Sequence, residues 1–275
     1  MTNTTRQYYQ IISDIHIPDD EIPNWSNYLE VSAPYLIIAG DVGRIEKFDK
    51  YSDFIKTICT HYKQVFLVAG NHEFYSDKEE YEFLNMKLIK LSSDIPNLTY
   101  LNNDYVDMPG NIRIYGCTLW SYTDKNTLPK ILPIKLFNYN HANSDWINMK
   151  HFYEKYHLIQ AIYNANKQNK RLIVVTHYPP TKQKTVTEEH LQTSDLNWYA
   201  NDMDNLLTKN QVYIWIYGHT HVNTDYLTKF DTRVVSNQVL GNNFVKNKVI
   251  SFNSYQNPLD TSFILLPFFS FLPSP

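Results

Sequence analysis

Tyr35-Leu36-Ile37-Ile38-Ala39-Gly40-Asp41-Val42-Gly43 decides the reading of the fold. Five apolar or aromatic residues without polar alternation suit a strand buried on both faces, and the glycines and aspartate after them suit a loop at its carboxyl end. The same sentence structure recurs along the chain. Apolar runs at Gln10-Ile12, Val65-Ala69, Ile112-Thr118, Leu172-Thr176, Val212-Tyr217 and Arg233-Ser236 predict further buried strands. Between them, Phe48, Tyr51, Ile55, Ile58, Cys59 and Tyr62, and then Tyr156, Ile159, Ala161, Ile162 and Tyr163, repeat at helical spacing. Alternating strands and helices predict an α/β fold, a layered mixed β-sheet sandwich flanked by helices. Ser76-Asp77-Lys78-Glu79 has the spacing of a capping box and predicts a helix from near Ser76 through Tyr81, Leu84, Leu88 and Leu91.

Five of the strand-like runs lead directly into polar segments: Asp14-Ile15-His16, Gly40-Asp41-Val42-Gly43, Gly70-Asn71-His72-Glu73, Thr176-His177 and Gly218-His219-Thr220-His221. Ligands of open α/β sheets gather at the carboxyl ends of strands, so these segments can meet in one crevice. The chain has seven glycines, four of which stand in these segments, together with five of the ten histidines. Core packing does not explain that concentration. Imidazole and carboxylate hold divalent zinc, manganese or iron, and there are enough of them for two ions with one shared carboxylate. Asp14 and His16, two apart on an extended strand end, are expected to share one side, while His219 and His221 serve neighbouring ions if their loop curls.

In order and form, the five segments resemble the calcineurin-like metallophosphoesterase superfamily over residues from about 10 to 235. The resemblance implies that Asp14, His16, Asp41 and His221 hold one ion, that Asp41, Asn71, His177 and His219 hold the other, and that Asp41 bridges them. It implies hydrolysis of a phosphomonoester or phosphodiester by metal-bound hydroxide, with His72 touching phosphate oxygens or protonating the leaving group, and Asn71 beside it on the substrate side. Two ions about 3.5–4 Å apart stabilise the attacking and leaving oxygens and lower the pKa of water. Gly116-Cys117-Thr118-Leu119-Trp120, Tyr199-Ala200-Asn201-Asp202-Met203-Asp204 and Thr232-Arg233-Val234-Val235 also look like a bacterial-type subgroup. In the protein-phosphatase branch the aspartate loop continues Gly-Asp-x-x-Asp-Arg-Gly, but here it reads Gly40-Asp41-Val42-Gly43-Arg44-Ile45. The acid that would pair with His72 is missing, so His72 needs another partner or a less elevated pKa.

Composition narrows the alternatives. At 275 residues, net charge -3 and pI near 6.4, the chain has no dense basic run to track a nucleic-acid backbone. That weighs against a nuclease, as the full ligand set weighs against a non-catalytic scaffold of the same fold. A small phosphorylated substrate is the expected partner. Two cysteines, Cys59 and Cys117, give no disulfide framework, and no cleavable signal is legible before Ile11, so a cytoplasmic setting is expected. Phe263 to Leu272 is apolar but shorter than the roughly 20 residues that span a bilayer. The whole, 1–275, is expected to be a single domain with 121–150 as a lid or insertion and 255–275 as an apolar tail. Glu73 has two readings, support of the site or a role at the helix junction. His61, His141, His151, His157 and His190 lack strand-end context and are expected on the surface or lid. Trp120, Tyr122 and Phe137 are candidates to line a pocket, against ordinary packing.

Overall fold

The computed structural model describes residues 6–124, 132–136, 141–192 and 196–253. The tail at 255–275 and Phe137 lie outside the described residues. In chain order the elements are β1 (Arg6–Ile12), β2 (Tyr35–Ala39), α1 (Phe48–Cys59), β3 (Gln64–Val68), β4 (Ser76–Glu80), α2 (Tyr81–Asp94), β5 (Leu98–Tyr100), β6 (Asp104–Met108), β7 (Ile112–Cys117), β8 (Ile134–Lys135) and α3 (Ser144–Lys167). There follow β9 (Arg171–Thr176), the one-turn helices α4 (Glu188–Leu191) and α5 (Leu196–Tyr199), β10 (Ile214–Tyr217), β11 (Asp225–Leu227), β12 (Arg233–Ser236) and β13 (Val249–Asn253). Each of the seven apolar runs becomes a strand.

Two mixed sheets stack. One has the order β13-β1-β2-β3-β5 and the other β11-β12-β10-β9-β7-β6. Their central pairs are parallel, whereas β13, β11 and β6 run antiparallel to their neighbours at the edges. Alternation within each strand explains the layering. Ile37 and Ala39 join Ile11, Phe66, Ile114, Ile173 and Ile216 between the sheets. Leu36 and Ile38 face the other way, onto Tyr51, Phe54, Ile55 and Ile58 of α1 and Leu84, Leu88 and Leu91 of α2. On the second sheet Tyr115, Val174, Trp215 and Val234 meet Leu158, Ala161, Ile162 and Ala165 of α3. Helix, sheet, sheet, helix is the result, and each fully buried Ile or Leu adds about 1.5–3 kcal/mol.

Four expectations need correction. The first is the helix start, because Ser76–Glu80 is a strand paired with β8, and α2 begins at Tyr81. Ser76 Oγ does accept from the amides of Lys78 (3.0 Å) and Glu79 (2.8 Å), so the capping chemistry is real but closes a local turn. Second, α3 starts at Ser144, inside the stretch read as irregular, with Asn143 Oδ1 accepting from the Trp146 amide as its cap. Third, three of the five periodic residues read for α3 lie on its outer side: Tyr156, Ile159 and Tyr163 are exposed, and Leu158 and Ala165 join Ala161 and Ile162 in the buried positions. Fourth, His151, expected on the surface or lid, is buried with Nδ1 2.7 Å from the Trp120 carbonyl, whereas His61 is exposed and His141, His157 and His190 are part-exposed.

Candidate metal centre

β1, β2, β3, β9 and β10 each end at the same edge of the stacked sheets, and the loops that follow bring every residue singled out for the site together. Asp14 and Asp41 are buried, as are Asn71 and His177. Asp41 is central. Its Oδ2 lies 3.3 Å from His177 Nε2 and 3.6 Å from His16 Nε2, and its Oδ1 accepts from the His72 amide at 2.9 Å. Across the site, Asp14 accepts from the His219 amide at 3.0 Å and has Oδ1 3.6 Å from His221 Nε2. Asn71 Oδ1 is 3.0 Å from His177 Nε2.

Strand alternation is not what makes Asp14 and His16 converge. β1 ends at Ile12, and Asp14 (φ 54°) and His16 (φ 48°) have left-handed backbones. So do Asp41 (φ 54°), His219 (φ 77°) and His221 (φ 55°). Left-handed residues other than glycine are uncommon, and five at one site amount to strain held by the surroundings. Close approach decides two glycines. A Cβ on Gly218 would stand 2.7 Å from Asp14 Oδ2, and one on Gly70 would overlap the Asp41 carboxylate.

Sequence reading left the support of these loops unresolved, and the structure supplies it. Glu73, fully buried, accepts from the amides of Gly70 (2.7 Å), Asp41 (3.0 Å) and Val42 (2.7 Å) and from Tyr51 Oη (3.2 Å). One carboxylate therefore ties two strand-end loops together. Gln238, which no motif marked, accepts from the His221 amide at 2.6 Å and donates to the Val222 carbonyl at 2.9 Å. Residue 238 is also bridged to Ser13, so the first and last segments of the site share one support. Only its burial and position after β12 distinguish Gln238, and neither is visible in a single sequence.

The electrostatics favour a cation. His177 Nδ1 is 2.9 Å from the Ala39 carbonyl, which can only accept, so that nitrogen carries the proton and Nε2 faces Asp41 and Asn71 Oδ1. Burial disfavours charge on His177, but the Asp41 carboxylate beside it outweighs this and lifts it to about 9. Burial likewise opposes ionisation of Asp41, yet His177 holds that carboxyl far below the usual range. His219 is pushed well below its ordinary value by burial and by His177. Nε2 of His16 and Nε2 of His219 are buried and have no hydrogen-bond partner among the described residues. Three clusters, Asp14-His16-His221, Asp41-His177-His219 and His16-Asp41-His72, have candidate ligand atoms within 4.8 Å of one another.

The family model described as calcineurin-like phosphoesterase matches residues 11–223. The chain belongs to that family. It is thus a hydrolase of phosphate esters, and its metal-dependent family agrees with the clusters above. An uncharacterised protein, L509, of Acanthamoeba polyphaga mimivirus is 26% identical over 238 residues, covering 80% of this phosphoesterase and 82% of the viral protein. Phosphopantetheinyl hydrolase of Mycobacterium tuberculosis shares the fold at a TM-score of 0.59 and 16% identity, over 85% of this chain and 89% of that one. A dimetal phosphatase from Danio rerio does so at 0.51 and 12%, over 85% and 88%.

The remaining candidates fall around this cluster or away from it. His72 sits at the mouth, its ring 4.4 Å from that of His16 and 4.5 Å from that of Tyr75. Among the described residues no carboxylate bonds its imidazole, and burial, partly offset by Asp41, lowers its pKa, in keeping with the missing acid after Gly43. Trp120 belongs to the core against Phe74, Trp146 and Tyr178, whereas Tyr122 is exposed beside His151. Tyr178 in turn backs the site, its ring 3.9 Å from that of His219. Among the described residues no helix is long and apolar enough to cross a membrane.

Proposed function

We propose that this chain hydrolyses a small phosphomonoester or phosphodiester with two divalent ions, one held by Asp14, His16, Asp41 and His221 and the other by Asp41, Asn71, His177 and His219. The observation that carries the reading is the pair of orphaned buried imidazole nitrogens, on His16 and His219, on either side of the Asp41 carboxylate. A buried polar atom without a partner costs free energy unless something absent satisfies it, and a cation beside two carboxylates and five imidazoles does so. The donor set suits manganese, iron or zinc. The description of the Danio rerio protein as a dimetal phosphatase supports the count of two.

When bound, such a pair supplies an acidified water and neutralises charge that grows on the phosphoryl oxygens. The protein's own groups do the rest. Glu73 fixes the Asp41 and Asn71 loops, Gln238 fixes His221, and His72, at the mouth, is placed to meet a phosphoryl or leaving-group oxygen. With its pKa lowered by burial, His72 acts as a neutral imidazole near pH 7 unless the substrate's charge raises it. The two cysteines are both free and buried, which supports the cytoplasmic setting.

Elemental analysis of the purified chain, joined to a panel of phosphomonoesters, phosphodiesters and cyclic nucleotides, tests the proposal. Two equivalents of metal and chelator-sensitive turnover are expected. In Asp41→Asn, metal content should fall and turnover drop by more than about a hundredfold, beyond what loss of a supporting contact does. A fully metallated chain inert to the whole panel would count against the proposal.

A further inference from the structure

The one-turn 3-10 helix His72–Phe74 ends at Tyr75, a residue that no family motif quoted above includes. Asn71, buried at 3% exposure, turns its two amide ends in different directions. Its Oδ1 faces His177 Nε2, and its Nδ2 donates to Tyr75 Oη at 2.7 Å. Because the Ala39 carbonyl holds the proton on His177 Nδ1, a cation between His177 and Asp41 meets Asn71 through Oδ1 alone. Nδ2 must then find an acceptor, and among the described residues Tyr75 Oη is the one it has. A buried amide N–H left without a partner is costly, so the phenol favours the ligating orientation.

The hydroxyl has a second capacity. Having accepted from Asn71, it still carries its own proton, and among the described residues no group accepts it. Tyr75 is part-exposed and its ring lies against that of His72, so the hydroxyl stands at the same opening as that imidazole. We infer that Tyr75 positions Asn71 for the second ion and donates its phenolic proton in a hydrogen bond to a phosphoryl oxygen of the bound substrate. The inference rests on the two-ion reading above and assigns the group that holds its weakest ligand, the neutral amide.

Titration of the metal-free full-length chain with Mn2+, and then of the Mn2+-loaded chain with inorganic phosphate, tests it. Tyr75→Phe keeps the ring against His72 and should lower the thermal unfolding temperature of the metal-free chain by no more than the loss of one buried hydrogen bond does. It should weaken one of two Mn2+ binding events by about 10–100-fold, the usual cost of losing the partner of a ligand, and weaken phosphate by about tenfold. In an Asn71→Ala background the same change should no longer affect Mn2+, while still weakening phosphate. Wild-type Mn2+ and phosphate affinities in Tyr75→Phe would overturn the inference, and so would an equal Mn2+ loss in both backgrounds, since that is a general structural effect. If Asn71→Ala does not fold, the two affinities of Tyr75→Phe decide. Failure of the wild type to bind a Mn2+ pair would instead sink the two-ion reading, and this inference with it.

Discussion

Glu73 and Glu154 are both fully enclosed acids, and burial lifts each to about 7, yet they do opposite kinds of work. Glu73 lies behind Asp41 and is surrounded by backbone N–H groups from two loops of the metal centre. Glu154 lies on α3, beneath the Trp120 amide that it accepts from at 3.1 Å, and the Lys150 ammonium partly offsets the effect of its burial. Equal burial therefore says little about function. What separates them is what the held groups carry, since the loops gripped by Glu73 bear Asp41 and Asn71, whereas Glu154 secures an aromatic layer between α3 and the core.

The contrast can be broken by mutation. His72→Ala, at the front of the region Glu73 supports, should keep metal and lower turnover by about 10^2 or more, as loss of a proton donor or phosphate contact does. Glu73→Gln places an NH2 among amide donors and should cost about 10–100-fold in metal affinity or turnover, together with about 1–3 kcal/mol of stability. Turnover and metal content equal to wild type in Glu73→Gln would erase the distinction. Glu154→Gln should leave turnover within about twofold in the same assay, because nothing it touches reaches the centre.

Stability against pH sharpens the same contrast. A carboxyl at 4.5 when unfolded and about 7 when folded binds its proton more tightly in the native state. Its contribution is therefore complete below about pH 4.5 and is lost as pH rises through 7, by about 3 kcal/mol for each group. Denaturant unfolding of the metal-free chain should show that decline. Metal loading should abolish the share due to Glu73, whose ionised form the cations favour, and leave the share due to Glu154. Glu154→Gln should then remove most of the remaining slope. A slope indifferent to both treatments would show that these two groups do not govern it.

Much of this was legible in the residues themselves. The seven apolar runs predicted strands because burial on both faces leaves no polar positions, and the strand-end segments predicted a common crevice because parallel strands end on one side. Ser76 misled because a hydroxyl that accepts from the amides two and three residues on serves a turn as well as a helix. The helical spacing of Tyr156, Ile159 and Tyr163 marked α3 but not its inner face, since in so aromatic a chain an outward ring looks like a core one. The backbone twist at Asp14, His16 and Asp41 left no trace at all, as aspartate and histidine occupy many conformations. Gln238 was equally silent, because its importance lies in what arrives next to it from more than two hundred residues earlier.

That last pairing sets an order of events during synthesis. Ser13 meets residue 238 only after nearly the whole of the described chain has left the ribosome, and His221 is not held until then. The full set of candidate ligands therefore cannot template the early stages, as a metal site does in small zinc-nucleated modules. Strands β1, β2, β3 and β5 with α1 and α2 emerge first, carrying Asp14 and Asp41 without the histidines of the later segments, so the cluster that would take a cation is completed only as a late step.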